Sequence, residues 1–323
     1  MKFIFDNDFI GPGGSAINAA FLCTTLPNED LLGFTCVAGD DRVTVGAREL
    51  LRFLKLIARD DIPVLIGADR PLLNTAARMA RWQEDYGKLS WIGQWNSPLD
   101  PTQGDEFRAL ADHRIQEISD QHAALYMIDC ANRHPGEVTI ICGGPMTNVA
   151  LAARLDPGFA SKVHLVVSNG PTHNLDVAAG LVSAIEGFNF IFDPEAASIC
   201  LSESFASVVS VGVVTPGSLM TEGLRDRFSG PAPLQHYLSD NAWIGLPMWD
   251  ELTVALAIQP HLVTRVVEAW MAVDVNWGAS RGRSVVFAEK FRPNAGETKV
   301  NLVLDYDRAD FETFVVESIA KFA

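Results

Sequence analysis

Basic side chains are scarce in this chain: 25 Lys and Arg stand against 40 Asp and Glu, a formal net charge of −15. A surface of that sign repels phosphate backbones and anionic headgroups, which argues against nucleic acid and membrane surfaces as partners. No apolar run approaches the length of a bilayer span. Cysteine is sparse as well. The five present (Cys23, Cys36, Cys130, Cys142 and Cys200) are widely spaced and form no CxxC pair, which excludes a disulfide frame or a zinc site and reads as buried reduced thiols. No two of the seven histidines stand at metal-ligand spacing. There is no internal repeat, low-complexity tract or convincing linker. Lys2 leads straight into a strand rather than a signal-peptide core, so the expected compartment is the cytoplasm, or the periplasm or exterior if a leader has been removed.

What remains is an ordinary packed composition, 48% hydrophobic and 20% charged over 323 residues. It is expected to form one domain spanning 1–323. Strand-like segments (3–7, 31–37, 62–66, 137–142, 163–168, 188–192, 207–213 and 299–305) are short and rich in Val, Ile and Phe, bounded by Gly, Asn, Asp or Pro. Helix-like segments (15–24, 42–58, 114–132, 146–155, 194–202, 247–257 and 307–321) alternate with them. Asp193 before Pro194 and Glu195 is an N-cap with Pro at the first helical position, and Asp307 opens the last helix in the same style. The alternation predicts a doubly wound α/β fold, a mainly parallel central sheet with helices on both faces. Residues 83–104 and 225–246 read as irregular, and 262–298 as an antiparallel extension.

The chemistry-bearing residues fall at strand ends. Strand 3–7 runs into Asp6 and Asp8, whose i, i+2 spacing sends both to one face, where open α/β sheets place their sites. Like charges side by side need a cation, an Arg or solvent between them. A glycine-rich turn, Gly11-Pro12-Gly13-Gly14-Ser15, then precedes a helix. Further clusters are Gly39-Asp40-Asp41, Gly143-Gly144-Pro145-Met146-Thr147-Asn148, Phe188-Asn189 with Asp193-Pro194-Glu195, and Trp249-Asp250 opening a helix.

Together these segments resemble the nucleoside hydrolase family of inosine-uridine type N-ribohydrolases. Gly144-Pro145-Met146-Thr147-Asn148, then Phe188-Asn189…Asp193-Pro194-Glu195-Ala196-Ala197, then Trp249-Asp250 follow the family's motifs in family order behind an Asp-x-Asp strand. The resemblance implies a calcium ion held by carboxylates and a backbone carbonyl, gripping the ribose hydroxyls and a water that an Asp activates for attack on C1′. It maps Asp8 and Asp250 to metal carboxylates, the Met146 or Thr147 carbonyl to the backbone ligand, and Asp40 and Asn189 to sugar contacts. Trp249 is a candidate for stacking on a base. The implied ligand is a nucleoside or related sugar, and the family tends toward dimers and tetramers.

Two departures stand out. The family's first motif ends in an Asp-Asp pair, base and metal ligand, where this chain reads Pro12-Gly13-Gly14-Ser15. A family Glu two residues before the Asn is Gly187 here, with Glu186 one residue earlier, and an upstream Asn falls on Leu181. Calcium would be held more weakly, and loss of the base alone typically costs about 10²–10⁴-fold in rate. Candidate replacements are Asp6, Glu186, Asp41 or the Ser15 hydroxyl, with Asp8 and Asp6 the candidate catalytic carboxylates. The Gly13-Gly14-Ser15 turn also offers free N–H groups to an anion. Plainer readings exist beside these: Thr147 as a helix cap, Trp249 and Trp82, Trp91 and Trp95 as packing, and His164 as a satisfied core residue. His173 and His236 are candidate acids for a leaving base. The chain therefore reads as an N-ribosyl hydrolase with an altered site, as a non-catalytic relative that binds in the old pocket, or as a scaffold.

Overall fold

The computed structural model describes residues 1–96, 121–170 and 187–322. Its elements in chain order are β1 Lys2–Asn7, α1 Gly14–Cys23, β2 Leu31–Cys36, α2 Val43–Leu56, β3 Val64–Ile66, α3 Ala76–Tyr86, α4 Ala123–Arg133, β4 Val138–Cys142, α5 Thr147–Leu155 and β5 Val163–Val167. There follow α6 Phe188–Phe192, α7 Pro194–Cys200, β6 Ser207–Ser210, α8 Glu222–Arg225, α9 Ala232–Asp240, α10 Trp249–Ile258, β7 Val263–Val273, β8 Ser284–Phe287, β9 Thr298–Tyr306 and α11 Arg308–Ala320.

The strands form one nine-stranded sheet in the order β3-β2-β1-β4-β5-β6-β9-β7-β8. From β3 to β9 every pairing is parallel, and β7 and β8 add the antiparallel extension expected for 262–298. The central strands are apolar on both sides, as a sheet covered on both faces requires. Phe3 and Phe5 of β1 pack with α1, α2, α9, α10 and α11, whereas Ile4 packs on the other face with α4, α5 and α7. All five cysteines are buried and free. Strand order reverses between β1 and β4, and ligand crevices of such sheets open at that point, beyond the carboxyl ends of the strands. Among the described residues no helix is long and apolar enough to cross a membrane.

Segment 188–192 is a correction. Its apolar run suggested a strand, but Gly187 adopts a left-handed conformation (φ +95°, ψ 61°) and turns the chain into the short helix α6. Phe190, Ile191 and Phe192 are buried from that helix, so tertiary packing overrides β-propensity. The stretches read as irregular also hold helices: α3 runs to Tyr86 and α9 spans Ala232–Asp240. Helix 114–132 is described from Ala123, with His122 Nδ1 accepting the Ala124 N–H as its cap; its first part lies outside the described residues.

Candidate functional site

Asp6 and Asp8 leave β1 together but serve different ends. Asp6 is the last β1 residue paired to both neighbours, opposite Thr35 and Cys142. Its carboxylate accepts the Thr35 hydroxyl (2.7 Å) and the Asn148 amide (2.8 Å) and is fully buried. Burial pushes its pKa up to about 7, against the lowering effect of those two hydrogen bonds. Asn148 also donates to the Cys36 carbonyl (3.0 Å) and accepts the Ala68 N–H (2.8 Å). Asp6 is therefore the hub that ties the ends of β1, β2 and α5.

Asp8 sits one step further out, 3% exposed, and accepts the Asp40 N–H (2.7 Å). Asp40 in turn accepts the Trp91 indole N–H (2.6 Å). The chain between β4 and α5 supplies the floor. A Cβ on Gly144 would lie 2.8 Å from Asp8 Oδ1, and one on Gly143 would lie 2.7 Å from Asp250 Oδ1, so only glycine lets these carboxylates approach the backbone so closely. Asp8 and Asp250 thus meet across Gly143-Gly144 although 242 positions apart in sequence. Burial raises the Asp8 pKa well above the carboxylate range, and the charges of Asp40 and Asp250 raise it further. Asp250 is raised by burial and by Glu251 beside it, and Asp40 by burial, to about 6. Asn189 donates its amide to the Gly143 carbonyl, which also accepts the Ser168 hydroxyl (2.9 Å). Trp249, next to Asp250, is 36% exposed.

Other sequence candidates lie elsewhere. The Thr147 hydroxyl donates to Asp193 (2.6 Å), which also accepts the Leu72 N–H (2.9 Å) and caps α7 through Ala196 (3.1 Å). The Thr147 side chain is thus committed to a buried hub, which leaves its backbone carbonyl as the part expected to serve as a ligand, and burial raises the Asp193 pKa to about 6. Asp41 accepts the N–H of Arg42 next to it (2.7 Å). His236 is exposed on α9, and His164 bonds Ser207 (2.8 Å). Glu186, His173 and Leu181 lie outside the described residues.

The glycine turn is covered by neighbouring side chains. The Gly13 N–H donates to the Tyr237 hydroxyl (3.0 Å), and a Cβ on Gly13 would overlap the Asn241 carbonyl. A Cβ on Gly14 would stand 3.0 Å from the Trp243 ring. The Ser15 hydroxyl is spent as well: it donates to Glu251 and accepts the Asp250 N–H (2.8 Å). Sequence reasoning missed Trp243, Tyr237, Asn7, Ser168 and Asn169. Of these, Ser168-Asn169-Gly170 at the end of β5 carried the same strand-end polar signal as the clusters it did find.

Whether a resident calcium fits can be tested on this geometry. Calcium takes six to eight oxygens, and the charge count of its ligands tunes how tightly it is held. Asp8, Asp40 and Asp250 are the carboxylates that act on one another here, Ser15 is committed elsewhere, and no group of three or more His, Cys, Asp or Glu among the described residues is arranged to hold a metal. The buried Asn7 Nδ2 lies beside Asp250 Oδ1 against Gly143, and hydrogen bonding from Asn7 works to lower the Asp250 pKa, so an N–H donor already faces that carboxylate. Among the described residues the donor set does not fit a tightly held calcium.

Fold and site define a doubly wound α/β protein with a cluster of buried carboxylates at the strand-order reversal. The family profile described as inosine-uridine preferring nucleoside hydrolase matches residues 3–313, and the chain belongs to that family. It is 29% identical to a protein named probable uridine nucleosidase 2 of Arabidopsis thaliana, over 88% of this chain and 85% of that one. It is 27% identical to the pyrimidine-specific ribonucleoside hydrolase RihA of Citrobacter koseri, over 100% of this chain and 99% of that one. A solved structure titled inosine-guanosine nucleoside hydrolase shares the fold, with a TM-score of 0.75 at 22% identity over 98% of both chains.

Proposed function

We propose that this protein binds an N-ribosyl compound over Asp8, Asp40 and Asp250 and hydrolyses its glycosidic bond with an altered metal and base site. The observation that carries the reading is the meeting of Asp8 and Asp250 across Gly143-Gly144, with Asp40 bonded to Asp8 and Asn189 bonded to the same backbone. Family membership supports the reaction class.

Neighbouring buried carboxylates titrate as a set, so that one can hold a proton while another is ionised. Such a set can both accept and return one. In the proposed step a water oxygen bonds to C1′ as the C1′–N bond breaks; Asp8 takes the water's proton, and the carboxylate set returns it to the released base. Asp40 and Asn189 orient the ribose, and Trp249 stacks on the base. With Trp243 over Gly14 and the Ser15 hydroxyl spent on Asp250 and Glu251, no carboxylate stands at the first-motif turn, so this work falls to the strand-end carboxylates.

The test is release of free base from inosine, uridine and a nitrophenyl riboside. Turnover of one of them that falls with Asp8→Asn supports hydrolysis. The closed turn also favours a second reading, binding without chemistry. It takes over if a nucleoside raises the melting temperature while no base is released.

A further inference from the structure

The start of α10 carries Asp250, yet its N-cap residue, Met248, offers no side-chain cap. The cap comes from α1. Ser15 Oγ accepts the Asp250 N–H (2.8 Å) and donates to Glu251. One turn further along α1, Asn18 Nδ2 donates to the other Glu251 oxygen (3.0 Å). Both oxygens of a carboxylate only 2% exposed are thus held from one helix. Among the described residues no Lys, Arg or His stands within ion-pair distance of Glu251. A buried carboxylate without a counter-cation is costly and survives where hydrogen bonds hold it in place.

We infer that Ser15, Asn18 and Glu251 form a hydrogen-bonded clamp between α1 and α10 that positions Asp250 without a metal ion. The inference follows from the misfit of calcium described above: the hydroxyl that would have to turn toward a cation is the one that holds the clamp. Asp250 is fixed through its backbone N–H, with its carboxylate turned toward Asn7 and Gly143, and assembly of this arrangement is independent of divalent cations. Ser15 and Glu251 are positioning residues that act through Asp250, and the inference holds whatever ligand the crevice takes.

The experiment uses the full chain and no turnover assay. Melting temperature is compared after exhaustive chelation and in millimolar calcium, and terbium luminescence, sensitised by neighbouring tryptophans, reports any calcium-type site. The clamp predicts equal melting temperatures and no terbium signal that calcium displaces. A calcium-dependent rise of several degrees, or a terbium signal abolished by Asp250→Asn, overturns it. Hydrogen exchange over Met248–Thr253 gives the positioning readout. Ser15→Ala should speed exchange of the Asp250 amide about fivefold, the ratio a lost helix cap gives, and Ser15→Thr, which keeps the hydroxyl, should restore it. Exchange unchanged in Ser15→Ala overturns the clamp. If Ser15→Ala fails to fold, the comparison of Ser15→Thr with the parent and the two metal measurements on the parent still decide.

Discussion

Asp8 is held by the Asp40 N–H, pressed on the Gly144 backbone and repelled by Asp40 and Asp250, so its removal should separate function from stability. Asp8→Asn keeps an acceptor for the Asp40 N–H and removes one of the repelling charges. Turnover of whichever riboside is cleaved is expected to fall by about 10²–10⁴-fold, the usual worth of a general base, while the melting temperature rises, as when a strained site is relieved. Steady-state kinetics and a thermal melt of one preparation check both halves; unchanged turnover would remove Asp8 from the site. Gly14 argues the converse. Its φ of +80° and the Trp243 ring 3.0 Å from its would-be Cβ leave no room for a side chain. Gly14→Asp should therefore restore no activity and should cost about 1–3 kcal/mol in urea unfolding. Coupling Gly14→Asp with Trp243→Ala should recover part of that loss, since the ring is one of its two causes.

At the scale of elements, the strand-to-helix alternation was legible because apolar runs and caps are local signals: β1, β4 and β5 fall where Val, Ile and Phe cluster, and α7 starts at Asp193-Pro194. Segment 188–192 was misread because five residues with three phenylalanines look alike as a buried strand and as a buried helical turn. What decides is Gly187, whose left-handed backbone no local pattern announced. The site divided along the same line. Strand ends marked Asp8, Asp40 and Gly143, but the Ser15–Glu251 bond joins residues 236 positions apart and the Trp243 ring reaches Gly14 from another loop. Such contacts exist only once the chain has folded. Gly187→Ala tests the element directly. Alanine resists the left-handed region, and its Cβ would stand 2.9 Å from Asn169 Oδ1. A loss of about 1 kcal/mol or more is expected in denaturant unfolding, with Asn189 displaced from Gly143, read as weaker nucleoside binding. Unaltered stability would mean that α6 does not depend on this turn.

Across the whole molecule the buried carboxylates set how stability responds to acid. Burial raises Asp6 and Glu251 to about 7 and Asp193 and Asp40 to about 6, and raises Asp8 and Asp250 further from their ordinary range. In the unfolded chain these groups titrate near about 4. A carboxyl whose pKa is higher in the folded state holds its proton there longer, so the folded state binds more protons between the two values. Stability then falls as pH rises through that interval, by about 1.4 kcal/mol per pH unit crossed for each such group. Three carboxyls move the other way. Hydrogen bonding, first from the Gly158 N–H, lowers Asp156; in Asp274 and Glu297 burial works upward, but hydrogen bonds together outweigh it. Their stabilisation is lost only as pH falls below the unfolded value. The melting temperature should therefore climb as pH is lowered from about 7.5 toward about 5 and turn over below about 4. Because Asp6 and Asp193 are structural hubs, Asp6→Asn and Asp193→Asn should each flatten the climb as well as lower stability where their hydrogen bonds break. Neither substitution should introduce a calcium response, since neither residue stands beside Asp250. A melting temperature that falls steadily from pH 7.5 downward would mean that the carboxylates are ionised and internally compensated, and the site would then be a set of fixed charges instead of a store of protons.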